Sequence, residues 1–359
     1  MHRRRFFTLT AGMVAVAGCG LAGCGGGAEA PLTGRLSVAV PTARGQRWAR
    51  LAQALTEVAA GDGLAAAAEV SAGGPASRAG AGPGGGPVAA AEAGDRPGEA
   101  PGARRLSFAR EGRLLLTGMS ALTAAELSGG PSVARSATPL ARLVGDWAAL
   151  VVPAGSRLRS FEDFAAAVRR DPAGLVVGGR TAGGSDHVLY GLIGKCLGVD
   201  TRLLDYAGYS GLAEAAEALH SGRAVALLGP ARSFAAEVAA GRMRPLAVSS
   251  AERIDGIDAP TLMELEVRLE YSDWYGVLGP RRMDDGDREA AVAFCDRLGA
   301  SPRWRARCER EGWDRLHLSG DDFRRWLDTE TRRTREALNE FGLLNTSDTN
   351  CGTSCGGRH

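Results

Sequence analysis

Residues 175–197 read LVVGGRTAGGSDHVLYGLIGKCL. Leu175-Val176-Val177 is a short aliphatic run of the kind that forms a buried strand, Gly178 to Gly184 is a glycine-rich loop, and His187 to Leu197 reads as a helix. The same unit repeats downstream, with strands at 203–206, 224–228 and 244–248 and helices at 212–221 and 234–241. Upstream, Ala148 to Pro153 reads as a strand, and Phe161 to Arg170 (FEDFAAAVRR) has an apolar helical face, with Ser160 placed as N-cap and Asp171-Pro172 as stop. Strands alternating with helices of about ten residues specify an α/β fold, with parallel sheets covered on both faces.

The pattern continues outward. Arg35 to Pro41 reads as a strand, and Arg47 to Ala60 as a helix with Trp48, Leu51, Leu55 and Val58 on one face. Short strands are expected at 114–116 and 274–278, followed by a helical region to about Leu344 in which Phe323, Trp326, Leu327, Leu338 and Phe341 supply the apolar contacts. From Ser71 to Arg104, 25 of 34 residues are Gly, Ala or Pro, and Val88 is the sole large aliphatic. Such a stretch cannot offset its ordering entropy by burial, so residues 75–104 are expected to be a flexible insertion, and the Gly/Ser-rich tail 345–359 to be disordered.

The 359 residues are about the length of two domains, and 45% apolar content is enough to build real cores. Forty-three basic residues nearly cancel 41 acidic ones, so no field gathers nucleic acid. The N-terminus sets the expected compartment. His2-Arg3-Arg4-Arg5 is a basic start, Phe6 to Ala22 is weakly apolar, and Leu21-Ala22-Gly23-Cys24 is a lipobox. Residues 1–23 are therefore expected to be a lipoprotein signal peptide, with Cys24 lipidated and the chain anchored outside the cytoplasm; the arginine run also fits a twin-arginine export signal. Cys295 and Cys308 lie on consecutive helical stretches and can bridge a hairpin. Cys351, Cys355 and His359 have a spacing that can hold a metal, but three ligands on a terminus are weak grounds, so no metal and no cofactor is expected.

Three strand-to-helix loops carry the chemistry. Thr181 to His187 (TAGGSDH) places unpaired N–H groups and the positive end of a helix dipole beside hydroxyls, a seat for a carboxylate or phosphate; the plainer reading is a turn capped by Ser185 or Asp186. Tyr209-Ser210-Gly211 is a second such loop. Its Gly208-Tyr209-Ser210-Gly211 resembles a serine-hydrolase elbow, but Leu212 stands where the closing Gly should be. Pro41 to Trp48 (PTARGQRW) is the third, with two arginines able to meet an anion or to face water.

Several stretches in series carry a family resemblance: TGMSALTAAE, Thr138 to Leu143, VVPAGSRLRSFEDF, TAGGSDH, YAGYSGLAEAAEAL, PLAVSSAERIDGIDAPTL and WDRLHLSGDDF. In order along nearly the whole mature chain, they resemble the Bug-type substrate-binding receptors of tripartite tricarboxylate transporters. The resemblance implies a two-domain, type II periplasmic-binding-protein-like fold of two doubly wound sheets, with a hinge and a ligand cleft between the domains. Domain I would comprise 24–145 plus 248–344, and domain II residues 146–247. It also implies a receptor, not an enzyme, that captures a small organic di- or tricarboxylate and delivers it to a membrane permease. A sensor on the same fold is the alternative, and a hydrolase using Ser210 stands last.

The family's binding loops fall on Thr181, Gly183, Gly184, Ser185 and His187, and on Tyr209, Ser210 and Gly211. In domain I they fall on Pro41, Arg44, Gly45, Arg47, Gly73 and Gly74. There the chain departs from the pattern. Arg44 replaces a proline, Gln46 and Arg47 replace glycines, and Ala49 stands in place of an aspartate. Either Arg44 or Arg47 adds a charge-assisted ligand contact, or both face water.

Overall fold

The computed structural model describes residues 32–40, 46–72 and 111–344. Strand β1 (Leu32–Val40) leads to α1 (Gln46–Gly61) and the edge strand β2 (Ala65–Ala72). Next come β3 (Glu111–Gly118), α2 (Met119–Leu127), the short α3 (Val133–Ser136) and β4 (Thr138–Pro153). Helix α4 (Phe161–Arg170), β5 (Val177–Gly179), α5 (Ser185–Cys196), β6 (Tyr206–Gly208), α6 (Leu212–His220), β7 (Ala226–Pro230), α7 (Ala231–Ala239) and β8 (Met243–Val248) then alternate. The chain returns through β9 (Ser272–Gly279), α8 (Asp285–Ala300), α9 (Pro302–Glu311), β10 (Asp314–Ser319) and α10 (Gly320–Glu340).

Eight of the ten strands among the described residues pair along one path, β2-β1-β3-β9-β4-β7-β5-β6, and β8 and β10 pair with β4 off that path. The fold is α/β, as the alternation requires, but the sheet is mixed and not parallel throughout. Parallel pairs lie at its two ends, β1 with β2 and β3, and β5 with β6 and β7. Antiparallel pairs fill the middle, where β9 returns against β3 and β4. The physical reason is β4 itself. At 16 residues it spans roughly 53 Å, enough to pair with β9 and β10 over its first ten residues and with β7 and β8 over its last six. It thus carries the chain from one half of the sheet to the other, and only its end, 148–153, was legible as a strand.

Local signals explain most other boundaries. Ser160 caps α4 as expected, its hydroxyl accepting from Asp163 N–H while the Asp163 carboxylate accepts from Ser160 N–H, a reciprocal box. Two strands escaped the sequence reading. β2 is AAAAEVSA, whose alanines carry almost no strand signal, and it is held as an edge by β1 alone. β10 lies inside the stretch expected to be helical; its Asp-Arg-Leu-His-Leu-Ser alternation follows period two, and it docks antiparallel on β4.

Three apolar clusters hold the layers. One joins α1, α8 and α9 to β1 and β3 through Trp48, Leu55, Phe294 and Trp304. A second packs α4, α5 and α10 around Phe164, Tyr190, Trp274 and Phe323. The third lies under α6 and α7, around Leu219, Leu227 and Phe234. The hairpin disulfide is not formed: Cys295 and Cys308 are buried free thiols in the first cluster. They fill apolar space as small hydrophobic residues, and burial pushes the Cys308 thiol up to about 12.

Cys24 and the rest of the signal region, Pro41, Arg44, Gly45, Gly73, Gly74, the 75–104 insertion and the tail from 345 lie outside the described residues. Among those described, no helix is long and apolar enough to cross a membrane, and no group of three or more His, Cys, Asp or Glu is placed to hold a metal.

Candidate functional site

Parallel strands β5 and β6 end side by side at Gly179 and Gly208. Loops leaving the carboxyl ends of such strands are where α/β sheets bind ligands. The two loops touch: a Cβ on Gly208 would lie 2.5 Å from the Ala182 nitrogen, and Tyr209 N–H donates to the Gly179 carbonyl at 2.9 Å. Gly183 adopts a left-handed φ of 76°, which closes the turn, with Gly184 N–H donating to the Thr181 carbonyl at 2.9 Å. On its other side Gly183 abuts Leu127 of α2, so the loop meets the first half of the molecule.

The Thr181–His187 loop is clasped at both ends by one ion pair. Arg180, just after β5, gives Nε and Nη2 to the two carboxylate oxygens of Asp186, in the first turn of α5, at 2.8 and 2.7 Å. Its backbone N–H also donates to Asp186, at 2.9 Å. Its Nη1 reaches Asp273 on β9 at 3.0 Å. The Tyr206 hydroxyl donates to the Arg180 carbonyl at 2.6 Å. Burial works against the Arg180 charge, but Asp186 and Asp273 outweigh it and hold the guanidinium well above its ordinary range. The Asp186 side chain is only 3% exposed and that of Asp273 7%, so the fork is locked in place.

Asp273 sits directly opposite Asp146 in the β4–β9 ladder. Asp146 in turn pairs with Arg47, from the first turn of α1. The Arg47 guanidinium lies 5.1 Å from the centre of the Tyr275 ring, whose hydroxyl donates to Asp273 at 3.3 Å. Loop-bearing ends from both halves therefore converge on the crossover strands. Burial raises Asp146 to about 7; Arg47 opposes the shift and Asp273 adds to it.

Several residues expected in the site have their side chains committed elsewhere. The Tyr271 hydroxyl donates to the Ser185 carbonyl at 2.9 Å, so in the 3.1 Å contact between the two hydroxyls Ser185 is the donor. His187 accepts from Gly183 N–H through Nδ1 at 3.0 Å and stacks on Tyr206 with ring centres 4.2 Å apart. Burial lowers it to about 4, so it is neutral near pH 7. Both Ser210 donors, backbone N–H at 3.0 Å and hydroxyl at 2.7 Å, go to Glu214. Gly211 is the N-cap of α6, and Tyr209 lies under Arg223. Thr181 is exposed on the outer edge of its turn. Arg47 neither faces water nor keeps a spare charge, because Asp146 takes it up.

What remains open is the N-terminus of α5. The N–H groups of Ser185, Asp186 and His187 precede the first intrahelical bond, which Val188 N–H makes to the Gly184 carbonyl. They follow the exposed Thr181-Ala182 turn, with the dipole of a 12-residue helix behind them. The arrangement can bind an anion; the Asp146 carboxyl, raised to about 7, is taken up by Arg47, and among the described residues of the loop no side chain is set up as an activated nucleophile.

Arg180, Asp146, Asp273 and Tyr271 were missed from the sequence. A signal for two of them was present. Asp146 and Asp273 each stand before a tryptophan inside an otherwise apolar strand (GDW, SDW), and a carboxylate buried in a strand requires a partner.

The profile described as "Tripartite tricarboxylate transporter family receptor" matches residues 132–343. No curated protein matches the chain. Among solved structures, a TctC solute binding protein from Polaromonas, without ligand, superposes with a TM-score of 0.64 at 19% identity, covering 85% of this chain and 98% of its own. Rpa4515 from R. palustris with adipate gives 0.58 at 17% identity, covering 86% and 97%. MatC from Rhodopseudomonas palustris with bound malate gives 0.53 at 16%, covering 86% and 98%. At these identities the structures share the fold with this chain.

Proposed function

Because this chain belongs to the tripartite tricarboxylate transporter receptor family, we propose that it is an extracytoplasmic, lipid-anchored receptor that captures a small organic carboxylate and passes it to a membrane permease. The ligand sits between the two sheet halves, held by the Thr181–Gly184 turn and the first N–H groups of α5. Domain I comprises 24–145 and 248–344 and domain II 146–247, with β4 near Asp146 and the segment before β9 as the hinge. Closure of one half on the other traps the ligand by population shift, without a chemical step.

The observation that carries this reading is the clasped loop ahead of α5, at the carboxyl end of a parallel strand, with Gly183 against Leu127 of the first half. Two structural relatives solved with dicarboxylates, adipate and malate, support the ligand class. The lipobox at Leu21 to Cys24 supports the anchor, and Arg3-Arg4-Arg5 the twin-arginine route.

The test is thermal unfolding of the full chain across citrate, succinate, malate, aspartate and their monoamides, with hits confirmed by calorimetry. A ligand at 100 times its dissociation constant adds about 2.7 kcal/mol. A selective upward shift is expected; no shift with any carboxylate would overturn the reading. For the anchor, Cys24→Ala is expected to move the protein from the membrane to the soluble fraction.

A further inference from the structure

We propose that Asp146 and Asp273 share one proton at the crossover between the two halves, and that this proton frees Arg47 for the ligand, so that the receptor captures an anion together with a proton. This rests on the receptor reading above and adds its regulation. Three observations lead to it: a like-charged pair placed face to face, a buried acceptor without a donor, and a cation that one member of the pair holds.

The two aspartates stand directly opposite each other in the antiparallel β4–β9 ladder. Their side chains therefore leave the same face, with Cβ atoms about 4.5–5.5 Å apart. Both side chains are 7% exposed. Asp273 accepts through Oδ2 from Arg180 Nη1 at 3.0 Å and from the Tyr275 hydroxyl at 3.3 Å. Its Oδ1 is buried and has no hydrogen-bond partner among the described residues, a state that is costly until a donor is supplied. A proton on Asp146 supplies that donor across the ladder and removes the like-charge contact. Burial, against the pull of Arg47 and with the help of Asp273, already raises the Asp146 carboxyl to about 7, so the proton exchanges at neutral pH.

Arg47 is what the proton controls. It lies in the first turn of α1, which follows β1, and β1 runs parallel to β2 and β3. Its side chain therefore starts from the carboxyl edge of the first half's parallel strands, where such sheets meet their ligands. Ionised Asp146 holds the guanidinium in an ion pair. Protonated Asp146 does not, and Arg47 is left over the Tyr275 ring with a buried Nε that has no partner among the described residues. A ligand carboxylate is the counter-ion that restores the pair. The groups facing Asp146 are Arg47 of α1, Asp273 and Tyr275 of β9, and Arg180 ahead of α5. Asp186 of α5 pairs with that Arg180 at 2.7 Å. On the β10 side, Asp314 accepts from Trp147 N–H at 3.4 Å and pairs with Arg232 of α7 at 3.1 Å.

The experiment reads the proton and the ligand separately, on the full chain. First, the ligand-free protein, isotope-labelled at its aspartate carboxyls, is followed by NMR as pH is varied. One carboxyl is expected to titrate near pH 7, to vanish in Asp146→Asn, and to move down in Asp273→Asn, where the like charge is gone. Second, succinate, malate and adipate are titrated calorimetrically at pH 6.5 and pH 8. Only the protonated fraction offers Arg47, so the wild-type affinity is expected to fall about tenfold across that span. Comparing buffers of different ionisation enthalpy at pH 7.5 should show most of one proton taken up with the ligand. Asp146→Asn imitates the protonated state, so it is expected to keep the pH 6.5 affinity at pH 8 and to take up no proton; melting curves check that the variants fold. Arg44, three residues before Arg47, lies outside the described residues, and the pH dependence should persist in Arg44→Ala. The proposal is overturned if no aspartate titrates near neutrality, if affinity changes alike with pH in wild type and Asp146→Asn, or if Arg44→Ala abolishes the dependence. A neutral titration with no binding by any of the three acids overturns the receptor reading instead, and the coupling to capture with it.

Discussion

The loop that joins β5 to α5 and the loop that joins β6 to α6 share a plan. Each leaves the carboxyl end of a parallel strand, passes through glycine and serine, and enters a helix with an acidic residue in its first turn. The direction in which that acid reaches makes them different. Asp186 is buried and reaches back past the turn to Arg180, so it ties the loop shut and leaves the helix N–H groups free. Glu214 is exposed and folds over Ser210, so it satisfies its own loop. One side chain builds a seat and the other fills one. The same composition signal, glycine and serine before a helix, therefore does not by itself show which loop can take a ligand.

The largest effect should come from breaking the clasp. Asp186→Ala leaves Arg180 in a buried setting with only Asp273 as partner, and a loss of about 3–5 kcal/mol is expected in urea unfolding. A loss no larger than that of Glu214→Ala would mean the two acids play the same part.

Arg180→Lys is milder and more specific. It keeps the charge but loses the fork that serves Asp186 and Asp273 together. Carboxylate affinity is expected to fall by about tenfold or more while most of the stability remains. Equal losses in Kd and in unfolding midpoint would show that Arg180 only holds the fold.

A smaller effect is visible in the pH dependence. His187 is lowered in the folded state from 6.5 to about 4, so stability that is full above 6.5 is lost as pH falls toward 4. Asp146 is raised from 3.8 to about 7, so its contribution has the opposite sign and stability falls as pH rises between those values. His187→Phe keeps the stacking on Tyr206 and removes the first slope, leaving the second exposed. Urea midpoints from pH 4 to 7.5 should therefore decline more steeply with rising pH in His187→Phe than in the wild type. Parallel curves would mean that His187 is not neutral in its stack. Ser210→Ala is expected to do least: carboxylate binding and melting should both stay unchanged, because its donors serve Glu214 and not the ligand.

Much of the fold was legible because it rests on short-range patterns. Alternation of aliphatic runs with amphipathic stretches marked β5 through β8 and their helices to within a few residues, and Ser160 and Asp171 marked the ends of α4. The long β4 was only half visible, since Thr138–Trp147 includes Pro139, Arg142 and Asp146 and becomes a strand through β9 and β10. The site divided in the same way. Loop positions followed from strand and helix ends, but the partners that decide availability come from far along the chain: Tyr271 for Ser185 and Asp273 for Arg180. No spacing rule connects residues 86 or 93 positions apart. An aspartate inside an apolar strand announces that some partner exists without naming it.

The most direct test of the account is to observe backbone amides of the isotope-labelled protein as a carboxylate that stabilises it is added. The account predicts that the resonances of Ser185, Asp186 and His187 move downfield as the seat fills, while those of Ser210 and Gly211 stay in place because Glu214 already occupies that loop. Shifts confined to Ser210 and Gly211, with the α5 amides unmoved, would contradict it.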